Sequence, residues 1–255
     1  MHYVPGSPLS EFIELLWYFQ GDEISNAKER VLPTGAADLI LRLDSARASD
    51  SAMQGPRTRP VVIRTSSRFE LLGVHFKPGG AFPFIGFPVD ELHNIGVTLS
   101  DLWGERSAQR LLSQLHEAPS AQRRFLLLEQ WLIQLATDRL RRHPAVTFAM
   151  RAFCCAFGST AQIAGKTGYS QRHFIELFRK EVGLKPKQFH RLYRFRKVID
   201  AVQGRTNVDW TDIGLFAGYF DQAHLIHDFR EFSDLTPEQY VKFRTAFINH
   251  VRVPD

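Results

Sequence analysis

One stretch of twenty residues occurs twice in this 255-residue chain, at an offset of 51. Ser170–Phe189 reads SQRHFIELFRKEVGLKPKQF, and Asp221–Tyr240 reads DQAHLIHDFREFSDLTPEQY. Gln171/Gln222, His173/His224, Ile175/Ile226, Phe178/Phe229, Arg179/Arg230, Leu184/Leu235, Pro186/Pro237 and Gln188/Gln239 are identical. Each copy follows a Gly-Tyr pair, Gly168-Tyr169 and Gly218-Tyr219. Helix, glycine-containing turn, second helix is the helix-turn-helix plan. A chain that builds it twice is constrained to two similar heads and a spacer between them.

The flanks carry the matching start and stop signals. Pro144 can open a helix over Val146–Phe157, which Gly158 ends. Ser159 or Thr160 caps a short helix, Ala161–Thr167; Ser170 caps the next, which ends at Gly183. Pro186 opens a helix reaching Gln203. The plan then repeats, with helix Trp210–Ala217, a turn at Gly218, helix Asp221–Phe232 and a last helix from Pro237. In the first copy Phe174, Leu177 and Phe178 form the anchoring face, which leaves Gln171, Arg172, Ile175, Glu176 and Arg179 outside. In the second, Leu225, Phe229 and Phe232 anchor, while Gln222, Ala223, His224, Ile226, His227 and Arg230 are the outward candidates.

Those outward sets suit the edges of base pairs. Gln171 and Gln222 can pair with adenine and Arg172 with guanine; Glu176 can accept from the cytosine amino group, and Ile175 and Ile226 can touch a thymine methyl group. Arg179 and Arg230 lie further along and suit phosphate. His227 can donate or accept. The spacer, at about 1.5 Å per residue, is roughly 27 Å long, against about 34 Å per turn of duplex DNA. Its Lys187, Arg194 and Lys197 are phosphate candidates.

Charge is distributed to match. Residues 1–143 hold 16 Lys+Arg and 16 Asp+Glu, whereas residues 144–255 hold 16 against 11, the whole of the net +5. Within that half, Thr160–Arg205 has 11 basic and 3 acidic residues, and Thr206–Asp255 has 4 against 8. The first head is therefore expected to supply most of the salt-dependent affinity and the second most of the selectivity. The plain alternative for each outward side chain is a solvated helix face.

The first 143 residues read differently. Short or alternating apolar runs at Arg30–Leu32, Asp38–Leu43, Pro60–Arg64 and Leu71–Phe76 are parted by Gly, Pro and Ser and predict strands. Ser45–Arg59 reads as a loop, and Phe82, Phe84, Ile85 and Phe87 as core. Leu111, Leu112 and Leu115 mark a helix, and Ser120 caps another from Ala121 to about Arg142 with Phe125, Leu128, Leu132 and Leu135 on one face, for core packing or a dimer contact. The expected fold is α+β in two domains: 1–143, β-rich and cupin-like with trailing helices, and 144–255, an all-α double helix-turn-helix.

Other chemistry is poorly supported. No apolar run approaches the roughly 20 residues of a membrane span, and Glu11 and Glu14 interrupt the apolar patch Phe12–Phe19, which is not a signal peptide. Two adjacent cysteines, Cys154 and Cys155, exclude a disulfide scaffold and point to a reducing cytoplasm; they read as small buried hydrophobes, a redox sensor being the alternative. Gly165-Lys166-Thr167 lacks the first glycine of a phosphate loop. His75 reads as structural. No catalytic motif, cofactor or metal site is expected.

The stretch Ile163–Tyr240 resembles the AraC-type transcriptional regulators. Gly168, Tyr169, Ser170, Arg172, Phe174, Phe178, Gly183 and Pro186 match the pattern of the first unit. Ile213, Ala217, Gly218, Tyr219, Asp221, Gln222, His224, Leu225, Phe229, Leu235, Thr236, Pro237 and Tyr240 match the more diagnostic second block. The resemblance implies two helix-turn-helix units that enter successive major grooves of double-stranded DNA. Base contacts would fall near Arg172, Ile175 and Glu176, and near Gln222, Ala223, His224, Ile226 and His227. Glu176 and His227 stand where the family commonly has Arg, and Asp234 where the first copy has Gly183. VLPTGAADLILRL with GVHFKPGGAF resembles a β-rich sensor subgroup. That implies control by a small-molecule effector or by homodimerisation through the N-terminal domain, with RNA polymerase a further partner. The rival readings are a DNA-architectural protein of little sequence preference and a barrel-fold enzyme with a DNA-binding tail.

Overall fold

The computed structural model describes residues 1–255 other than 22–26, 46, 66–68, 155–158, 206, 246, 248 and 255. Strands β1 (His2–Tyr3), β2 (Ile13–Gly21), β3 (Ala27–Val31), β4 (Asp38–Arg42), β5 (Ala52–Gln54), β6 (Val61–Thr65), β7 (Phe69–Phe76) and β8 (Gly96–Thr98) fill the first hundred residues, and β9 (His250–Arg252) lies near the C-terminus. Two antiparallel sheets form, with orders β1-β2-β7-β4-β5-β8 and β6-β3-β9. The period-2 pattern of β4 turns Leu39 and Leu41 inward, where Leu16 of β2 and Leu72, Val74 and Phe76 of β7 join them.

Four helices close over that face: α1 (Phe82–Ile85), α2 (Leu99–Trp103), α3 (Glu105–Glu117) and α4 (Ala121–Leu135). Thr98 and Ser120 cap α2 and α4 by accepting from the backbone N–H three residues on. Leu111, Leu112 and Leu115 of α3 and Phe125, Leu128 and Leu132 of α4 enter the same core as the sheet. The leucine stripe of α4 is therefore core, and its opposite side exposes Leu126 and Ile133. The helix stops at Leu135, short of Arg142. Thr137 Oγ1 donates to the Ile133 carbonyl at 2.9 Å, and the chain must be extended before Pro144.

The C-terminal half comprises α5 (Pro144–Cys154), α6 (Thr160–Thr167), α7 (Gln171–Val182), α8 (Pro186–Val202), α9 (Trp210–Ala217), α10 (Gln222–Ser233) and α11 (Pro237–Phe243). Its core is aromatic: Phe153, Phe174, Phe178 and Phe189 gather around α7, and Phe195, Phe229, Phe232 and Tyr240 around α10.

Several expectations need correction. The half is not entirely helical, because β9 pairs with β3 and Val251 and Leu32 share the second core. The loop expected at 45–59 contains β5, held by pairing on both sides with β4 and β8. Phe12–Phe19 lies mostly in β2, the longest described strand. Cys154 is exposed rather than buried, since Ala152 and Phe153 take the inward positions at the end of α5; Cys155 falls outside the described residues. Among the described residues no helix is long and apolar enough to cross a membrane.

Candidate nucleic-acid interface

The two helix-turn-helix units are built with the same local chemistry. In the first, Ser159 and Gln162 form a capping box at the start of α6, Gly168 makes the turn at φ +78°, and Ser170 caps α7 by accepting from His173 N. In the second, Asp209 accepts from Thr211 N and Asp212 N, Gly218 turns at φ +90°, and Asp221 caps α10 by accepting from His224 N at 2.7 Å. Both second helices end in a left-handed residue, Gly183 (φ +82°) and Asp234 (φ +56°). The missing glycine of the second copy thus leaves the turn unchanged, because Asp is among the few side chains that enter this region readily.

The first head exposes Gln171, Arg172 and Glu176. Arg172 is 90 % exposed, and its Nε donates to Glu176 Oε1 at 3.1 Å. Such an exposed i,i+4 pair contributes only about 0.3–0.5 kcal/mol, so DNA can separate it at little cost. The second head exposes Gln222, Ala223, His227 and Arg230.

Other candidates lie elsewhere. Ile175 and Ile226 are half-buried against the core, because the anchoring face is wider than three side chains. Arg179 donates to Asp90 at 2.6 Å instead of facing phosphate, since the far end of α7 packs on the N-terminal half. Arg194 is 15 % exposed; it donates to the Gly218 carbonyl, His224 Nε2 and Asp228 and covers the Tyr219 ring at 4.7 Å, so it organises the second turn. His224 is half-buried by the same contacts. Lys197 donates to the Phe216 carbonyl at 3.2 Å and sits over that ring. Lys187 is exposed.

The basic segment is consequently less bare than its net charge suggests. Arg179 pairs with Asp90, Arg196 with Glu14, and Arg191 and Arg194 with Asp228. Asp228 is fully buried on the inner face of α10. Arg191 Nε and Nη2 donate to its Oδ1 at 3.1 and 2.6 Å, and Arg191 also reaches Glu231. Burial works against the Arg191 charge, but Glu231 and Asp228 outweigh it and hold the guanidinium more firmly protonated. Burial, then the Asp228 charge, pushes the Tyr219 phenol up. His227, Asp228 and Glu231 bring ligand atoms within 4.8 Å of one another. Both carboxylates already hold Arg191, so a cation there must displace a guanidinium. This network had a signal in the sequence: Leu225, Asp228, Phe229 and Phe232 follow the i, i+3, i+4, i+7 spacing of an inner face.

Between α8 and α10 lies a groove of about 450 Å³, bordered by Lys187, His190 and Arg191 on one side and His224, His227 and Asp228 on the other. In and just after α9, Leu215, Phe216 and Phe220 are exposed.

Residues 163–242 match a family described as a helix-turn-helix domain, and residues 1–98 match a domain of unknown function (DUF6597). No curated protein matches the chain. A solved structure of ToxT from Vibrio cholerae is similar at 10% identity over 89% of this chain and 93% of that one, TM-score 0.42. Another, described as bound to (E)-4-(8-methylnaphthalen-1-yl)but-3-enoic acid, covers 89% and 94% at 10% identity and TM-score 0.43. The matched stretch runs from within α6 to within α11 and takes in both second helices, α7 and α10, so the chain carries a helix-turn-helix domain towards its C-terminal end.

Proposed function

We propose that the two heads read one DNA site together and that residues 1–143 form a sensor domain controlling residues 144–255. The observation that carries this is the pair of equally capped helices, α7 and α10, each leaving a polar N-terminal face exposed: Gln171, Arg172 and Glu176 on one, Gln222, Ala223 and His227 on the other. At about 1.5 Å per residue, α8 is roughly 26 Å long, which suits heads that enter successive major grooves. Arg230 and Lys187 are exposed and serve as phosphate contacts. Arg179, Arg194, Lys197, His224, Ile175 and Ile226 support the heads rather than read bases.

Control fits the way the halves meet. The end of α7 and the middle of α8 contact the N-terminal half through Arg179–Asp90 and Arg196–Glu14, so whatever shifts that half acts on the first head. A small-molecule effector or a second copy of the chain is the controlling partner, RNA polymerase the downstream one, and the cytoplasm the setting.

Selection of bound sequences from a random duplex pool, followed by competition, tests the reading. A preference of at least tenfold for the selected site over shuffled DNA is expected; a smaller preference would leave an architectural protein. Arg172→Ala should weaken binding to the selected site by about 1–3 kcal/mol, with a much smaller effect on shuffled DNA. Equal losses on both would remove Arg172 as a base reader.

A further inference from the structure

We propose that Phe220 is an apolar reading element of the second head, which touches the C5-methyl group of a thymine as α10 enters the major groove. This deepens the DNA-binding reading and rests on it.

The two turns differ in length. Between the left-handed glycine and the capping residue, the first has Tyr169 alone, and the second has Tyr219 and Phe220. Each tyrosine plays the same part. The Tyr169 ring lies 4.8 Å from the His173 ring, and the Tyr219 ring 5.4 Å from that of His224, the matching histidine of the repeat. Tyr219 is buried under Arg194, and its N–H donates to the Gly214 carbonyl at 2.9 Å. Phe220 is therefore the additional residue of the second turn.

The core leaves no seat for it. A residue just before a cap commonly packs on the fourth residue of the helix, here Leu225. Leu225 is instead buried against Gly214 of α9, where a Cβ would stand 3.1 Å from its Cδ1. Phe220 is held out at 89 % exposure, the highest of the large apolar side chains among the described residues. Its place is fixed on one side by buried Tyr219 and on the other by Asp221, which accepts from His224 N at 2.7 Å.

That place is the mouth of the reading helix. Gln222 and Ala223 are exposed in the first turn of α10, where a helix of this kind meets base edges. Two residues of chain span at most about 7 Å, so the ring reaches the base pair that Gln222 meets or the next one. A phenyl ring has no hydrogen-bond donor or acceptor, and its negative face does not suit a phosphate. Of the groups a duplex presents in its major groove, the thymine methyl group is the one it fits.

The test uses the full chain and the selected duplex, with each thymine of the second half-site exchanged in turn for deoxyuridine, which lacks only the methyl group. At one position the exchange should weaken binding by the parent about fourfold, the worth of one buried methyl group. Phe220→Ser should lose a similar factor on the thymine duplex and bind the thymine and uracil duplexes alike at that position. Its salt slope should match that of the parent, since no charge is involved. Phe216→Ser removes another exposed ring, on α9, and should keep the preference for thymine. Because the Phe220 ring is exposed, its serine variant should unfold at the temperature of the parent. A thymine preference unchanged in Phe220→Ser, or absent at every position in the parent, overturns the inference and leaves site selection intact. Lost self-association with unchanged DNA affinity in Phe220→Ser also overturns it and assigns the ring to a contact between two copies of the chain. Failure of the selection to yield any preferred site overturns the DNA-reading proposal itself.

Discussion

Asp228→Ala is expected to lower the unfolding free energy by about 2–4 kcal/mol. The carboxylate is fully buried and receives Arg191 from one side and Arg194 from the other. Removing one partner from a buried pair typically costs about 3–5 kcal/mol, because the other charge is left without compensation. Here the loss is softened. Arg191 keeps Glu231, and Arg194 keeps the Gly218 carbonyl and His224. Asp228→Asn retains an acceptor oxygen and should fall between the variant and the parent. The two guanidiniums tie the spacer to the second reading helix and its turn, so the alanine variant should also bind DNA more weakly at temperatures where it is still folded. Urea denaturation followed by circular dichroism measures the first effect. A loss below about 1 kcal/mol would mean that apolar packing of Phe195, Phe229 and Phe232 alone fixes α10 against α8.

Where the signal was local, the chain could be read. Ser159, Ser170, Gly168 and Gly218 each act on their own turn, and the helices around them fall within a residue or so of the expected ends. In the first turns of α7 and α10, Gln171, Arg172, Gln222 and Ala223 were legible as outward because they are exposed, whereas His224 in the same turn is half-buried against Arg194 and Tyr219. Further along each helix the outcome depends on what docks. Arg179 is taken by Asp90, 89 residues earlier, and Arg196 by Glu14, 182 residues away. Nothing in the helical period of α7 or α8 encodes either partner. β5 was illegible for a similar reason: three residues with no run of their own become a strand only because β4 and β8 lie on both sides. Asp228 is the instructive case, since its inner-face spacing was visible but the charge argued for an outer one; two arginines on α8 settle it.

Gly183→Ala should cost about 2–4 kcal/mol, whereas Gly168→Ala, the same change at nearly the same backbone angle, should cost only about 1–2 kcal/mol. Both glycines are left-handed, at φ +82° and +78°, so both variants bear the strain of placing a Cβ there. They differ in what the Cβ meets. At Gly168 nothing lies within 4 Å. At Gly183 it would stand 2.7 Å from Pro56 Cγ, 2.8 Å from Val89 Cγ1 and 3.2 Å from the Val89 carbonyl oxygen. A proline ring and a backbone carbonyl cannot swing aside as a lysine tail can, so the end of α7 must move off the N-terminal half. Arg179 and Asp90 then separate, and Glu181, which accepts from His143 N at 3.2 Å, loses its place in the same seam. Hydrogen exchange should therefore quicken in Val89–Leu92 and the last turn of α7 in the Gly183 variant and not in the Gly168 one. The difference in unfolding free energy between the two alanine variants isolates the seam from the backbone strain they share. Equal costs would mean that the two halves are joined elsewhere, through β9 on β3 and Arg196 on Glu14.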